Sequence, residues 1–148
     1  MGTWSNDPFG NDIACDWVFD LIKKASGWSL RNQGFIFIKA TLDKARSAGE
    51  DYLGARDADE GIAAADTVAR LRGHFYVRNA YTKSLDEWAA KQTSAVPQDI
   101  VDLALQVVDR VLTEPSELLD LWMESGDAED WKAQLENLKE RLQKPSVK

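Results

Sequence analysis

The chain reads as an all-α protein, one helical domain over residues 1–148, and three observations lead there. Six or seven segments carry apolar residues at helical spacing. Gly and Pro separate them by loops of ordinary length. No internal repeat, low-complexity run or long linker divides the whole. At 148 residues and 44% hydrophobic content, the chain buries enough surface to fold as one unit without a cofactor.

The first helix is the most heavily marked. Ile13, Ala14, Trp17, Val18, Leu21 and Ile22 share one face, Asn11 or Asp12 is placed to cap it, and Gly27 to stop it. Ahead of it, Asp7-Pro8 and Gly10 force a turn that folds Trp4 and Phe9 back onto the helix. Residues 28–34 read as a loop. Phe35-Ile36-Phe37-Ile38 has strand composition, yet Phe35, Ile38, Leu42 and Ala45 keep helical spacing, which predicts a second helix over 34–48 that Gly49 ends.

Asp57 or Asp59 reads as the cap of an alanine-rich third helix, with Ile62, Ala65, Val68 and Ala69 on one face and Gly73 closing it. Its small side chains allow close approach of neighbours, which predicts a central position. Phe75 to Tyr81 leaves helix and extended chain both open. Ser84 and Glu87 have capping-box spacing for a short helix that turns Leu85, Trp88 and Ala89 inward.

Pro97 suits the first turn of a long helix ending near Leu112. Ile100, Leu103, Ala104, Val107, Val108 and Val111 spread over a wide arc of it, while Asp99, Asp102, Gln106 and Asp109 gather in a polar stripe. Pro115 breaks this helix. Leu118, Leu119 and Trp122 mark the next, and Asp127 caps the last, whose inner face is Trp131, Leu135, Leu138 and Leu142. Residues 144–148 read as a loose tail.

The formal net charge of -7 argues against DNA, RNA or an anionic membrane as main partner, because each demands a basic footprint, and it allows a basic protein. One cysteine, Cys15, permits no internal disulfide, and no signal peptide or 18-residue apolar run is present, so a cytoplasmic location is expected. Cys15 and His74 are the only conventional nucleophile and base. Nothing in their spacing links them, and Asp12 and Asp16 oppose a thiolate.

One Cys and one His cannot supply a zinc shell, and the sequence predicts no metal and no catalytic residue. Asp12, Asp16 and Asp20 recur every four residues and form a carboxylate row on the first helix. A solvated face is the plain reading of that row, and a divalent-metal or partner strip the sharper one. With Asp99, Asp102 and Asp109, and a cluster at Glu124, Asp127, Glu129 and Asp130, the acidic groups suit docking of a basic protein, with Trp28 or Tyr81 as aromatic anchor.

The opening Met-Gly-Thr-Trp, then Asn11-Asp12-x-Ala14-x-Asp16-Trp17, resembles the bacterial family catalogued as domain of unknown function 4259. Tyr52-Leu53 ahead of Ala63-Ala64-Ala65, and Glu117-Leu-Leu-Asp-Leu-Trp122 followed by Trp131, extend the likeness over nearly the entire chain. The family has no assigned catalytic residues to carry over. The resemblance implies a small bacterial cytosolic protein and, with some relatives encoded near secreted toxins, an immunity protein.

The leading expectation is therefore a non-catalytic protein-binding module that occludes a cognate, basic toxin through an acidic surface. Two alternatives stand beside it: a metal-assisted hydrolase using Asp12, Asp16 and Asp20, which needs a second helix opposite that row, and a small helical regulator holding a ligand between helices.

Overall fold

The computed structural model describes residues 2–25 and 33–147. Within them run seven helices: α1 (Asp12–Ala25), α2 (Gln33–Arg46), α3 (Ala55–Leu71), α4 (Lys83–Lys91), α5 (Gln98–Val111), α6 (Glu117–Ser125) and α7 (Ala128–Gln143). Gly27, the expected stop of α1, lies outside the described residues.

α3 is the axle of the molecule. Every residue from Gly61 to Leu71 is buried, and the helix contacts each of the other six. Its composition makes this geometry available: a Cβ added at Gly61 would stand 2.9 Å from Val107 Cγ1 of α5 and 3.0 Å from Ala45 Cβ of α2. Glycine there lets three helices meet closely. α1 and α2 complete one side, where Trp17 is stacked on Phe37 and donates its indole N–H to Thr41 Oγ1 at 2.8 Å. On the other side, α7 packs against α3, α5 and α6.

Phe35 to Ile38 lie within α2, because their burial follows the helical period: Ile38 is fully buried while Ile36 is exposed. Val77 and its neighbours form neither helix nor strand and cross the surface as irregular chain. Left-handed glycines at Gly49 (φ 56°) and Gly73 (φ 90°) follow α2 and α3 as the sequence anticipates.

Three caps differ from expectation. Neither Asp57 nor Asp59 caps α3, since both lie inside it; the helix begins after Gly54, and Glu117 Oε1 of α6 accepts from Ala55 N at 2.7 Å. The Ser84–Glu87 box does not form either. α4 starts at Lys83 after Thr82, whose hydroxyl accepts from Asn79 N and donates to Asp86 Oδ2, because Asp86 is drawn inward by Arg70. Asp127 stands at the start of α7 without a side-chain cap.

The chain end is tied as well. Val147 N donates to Arg72 O at 3.0 Å and His74 Nε2 donates to Pro145 O at 2.6 Å, so 145–147 lie along the end of α3 where the sequence suggests a loose tail.

Candidate functional site

The segment ahead of α1 closes into a hook. Asp7 organises it: Oδ1 accepts from Phe9 N at 3.1 Å, Oδ2 accepts from Ser5 Oγ at 2.6 Å, and its carbonyl accepts from Gly10 N at 3.0 Å. The Gly10 carbonyl accepts in return from Trp4 N at 2.9 Å and Ser5 N at 3.2 Å. Any Cβ at position 10 would meet Ser5 Cβ at 2.6 Å, so glycine is required by close approach. Asn11 then caps α1, with Oδ1 accepting from Ala14 N at 2.8 Å.

The hook sends its two aromatics in opposite directions. Phe9 is buried with its ring 5.1 Å from the Arg70 guanidinium. Trp4, expected to fold back onto α1, is 46% exposed and lies 4.9 Å from the ring of Tyr81, itself 54% exposed. One predicted anchor, Tyr81, thus presents a paired aromatic surface. The other, Trp28, lies outside the described residues.

Beneath the hook is a cleft. Asp7, Asn11, Asp59, Ile62, Trp122 and Trp131 are among the residues enclosing a hollow of about 20 Å³. It shares Thr3, Ser5, Asn6 and Trp122 with an open groove of about 360 Å³ that runs past Trp4 to Asp127. Trp122 and Trp131 are stacked, centroids 6.1 Å apart. Asp59 is half-buried among them without an ion-pair partner among the described residues, and no Lys or Arg lines the hollow or the groove. Burial, with Glu60 beside it, pushes its carboxyl up to about 7.

The predicted carboxylates are all exposed. Asp12, Asp16 and Asp20 line the outer face of α1, and Asp99, Asp102 and Asp109 that of α5. The two rows do not merge, because α1 and α5 each pack on α2 and α3 rather than on one another. Asp109 is paired with Lys139 Nζ at 2.8 Å, and Asp102 accepts from Gln98 Nε2 at 2.9 Å. On α1 the carboxylates face outward instead of converging on an opposed helix, and among the described residues no three His, Cys, Asp or Glu side chains are grouped to hold a metal ion. The acidic cluster at Glu124, Asp127, Glu129 and Asp130 is exposed too.

Cys15 donates to Phe9 O at 3.5 Å, and burial followed by Asp12, Asp16 and Asp7 raises its thiol, so the thiolate is disfavoured. His74 is engaged with the chain end and not with Cys15.

Sequence reasoning missed the buried charges. Asp66 and Arg70 are fully buried on α3, with Asp86 of α4 and Arg141 of α7 beside them. Asp66 Oδ1 accepts from Arg70 Nε and Arg141 Nη1, both at 2.9 Å; Arg70 Nη1 reaches Asp86 Oδ1 at 2.6 Å and Nη2 reaches Val77 O at 2.7 Å. Burial alone would raise Asp66, but the two arginines outweigh it and hold the carboxyl below its usual range. A signal was available. Asp66 and Arg70 follow Ile62 at four and eight residues, on the face of α3 marked as inward.

Residues 2–134 match a family model described as Domain of unknown function (DUF4259). No curated protein and no solved structure shows a significant match. No helix among the described residues is long and apolar enough to cross a membrane.

Proposed function

The chain belongs to the DUF4259 family, and on that premise we propose that it is a non-catalytic docking module that occludes a basic protein partner, in the manner of an immunity protein covering its toxin. The observation that carries this reading is the pair formed by Trp4 of the hook and Tyr81 of the segment ahead of α4, two large aromatics half exposed and in contact, with the acidic α1 following the hook. Asp12 N donates to Gly2 O at 2.6 Å, which ties the segment carrying Trp4 to the start of α1, where the carboxylate row begins. Aromatics of this kind supply most of the contact energy at interfaces, and a flanking row of like charge speeds encounter with a basic surface. The row on α5 is a second acidic face, weakened by the Lys139 pairing.

Co-expression with the product of each adjacent gene is the test. One product that is toxic alone should be tolerated with this protein present and should co-purify with it. Failure of every adjacent product to bind overturns the proposal. In a complex so obtained, Tyr81→Ala or Trp4→Ala should weaken affinity by roughly thirtyfold, the scale of an aromatic hot spot, with little change in thermal midpoint because both rings are surface groups.

A further inference from the structure

The hollow under the hook has the size and chemistry for a small cation. Its volume of about 20 Å³ admits one group the size of a water molecule, which an ammonium matches and a planar guanidinium exceeds. The walls offer carboxylates from two elements, Asp59 of α3 and Asp7 of the hook, with the indoles of Trp122 and Trp131 beside them. Asp7 uses one acceptor site on each oxygen within the hook, and a carboxylate has further lone pairs to offer. The outer groove of about 360 Å³, ending near Trp4 and Asp127, has room for an aliphatic stem. Indole beside ammonium adds a cation-π attraction.

We infer that this cleft receives a lysine side chain of the docked basic protein, its ammonium held by Asp59 and Asp7 and its stem lying along Trp122. The origin of the lysine rests on the docking reading; the recognition of a primary amine does not. Titration of Asp59 makes the binding pH-dependent. The charged groups near it are Glu60 on its own helix and Asp7 from the hook, whereas α6 and α7 present only Leu118, Trp122, Trp131 and Leu135. With no cation in the wall, an incoming ammonium is the group that stabilises the ionised form.

The probe is Nα-acetyl-lysine methylamide, titrated into the full chain while the indole N–H resonances of Trp122 and Trp131 are followed by NMR. Saturable shifts of both are expected, at least tenfold weaker in Asp59→Asn and weaker at about pH 5.5 than at about pH 8. The arginine analogue should bind several-fold more weakly and the norleucine analogue should leave both resonances unmoved. Equal binding by Asp59→Asn, or equal shifts from norleucine, overturns the inference. Trp122→Phe, which keeps both carboxylates, should weaken the amine to a lesser degree and guards against misfolding as the cause of a loss. Because the titration contains no partner protein, its failure leaves the docking reading intact, and failure of the co-purification leaves the amine site intact.

Discussion

Two aspartates on one helix, Asp59 and Asp66, show how far surroundings decide what a carboxyl does. Asp59 has no ion-pair partner among the described residues and is pushed from its usual 3.8 up to about 7, so between those values the folded chain holds a proton that the unfolded chain releases. Its contribution to stability therefore falls as pH rises through that window. Asp59→Asn should gain on the native chain in thermal midpoint between about pH 4 and about pH 7. Asp66 has the opposite sign: held below the usual range by Arg70 and Arg141, its stabilisation is present at neutral pH and lost as the solution becomes more acidic than an ordinary carboxylate tolerates. Asp66→Asn leaves two buried arginines short of their counter-ion, a loss of about 3–5 kcal/mol that lowers the midpoint on the order of 10 °C in calorimetry. The pair Asp66 and Arg70 was legible as inward on helical spacing. Their partners Asp86 and Arg141 were not, because nothing in the primary order says which distant charges will meet.

Helices were legible where the apolar period was strong, and so were the Asn11 cap and the glycine stops at Gly49 and Gly73, but the starts of α3, α4 and α7 were not. α5 and α7 bury the residues their spacing selects, and α1 buries Ala14, Trp17, Val18 and Leu21 while Ile13 and Ile22 stay half-buried at the edges of its face. The start of α3 was misplaced because its cap comes from Glu117, 62 residues away, zipped beside it by Leu53 N donating to Pro115 O and Glu117 N donating to Leu53 O. A carboxylate at that position satisfies a free N–H and complements the helix dipole, so Glu117→Ala should cost about 1 kcal/mol and speed amide exchange in the first turn of α3. Arg110 serves the same region from α5, donating to the carbonyls of Gly49, Asp51, Thr113 and Pro115. At the middle of α3, Gly61→Ala should improve helix propensity by about 1 kcal/mol yet drive a methyl into Val107 and Ala45. Overpacking against two helices costs about 1–3 kcal/mol, so net destabilisation is expected in denaturant titration.

At the scale of the molecule, the fold class followed from periodicity and punctuation, whereas the cleft did not. Its walls come from both ends of the chain, Thr3 to Asn11 on one side and Trp122 to Leu135 on the other, with Asp59 between. A sequence read locally has no means of joining them. The charge of -7 belongs to this scale too, since it acts as a field rather than a contact. Replacing Asp12, Asp16 and Asp20 together by Asn should slow association with a basic partner and flatten its dependence on salt, while the dissociation rate changes little; stopped-flow measurements over a range of ionic strength check this.

The order in which the walls of that cleft arise also bears on when the protein can work. The hook is synthesised well before the helix carrying Trp131, so no fragment that stops short of α7 offers the finished groove. Recognition there would double as a check on folding, since the groove exists only once α7 has come to rest beside the hook.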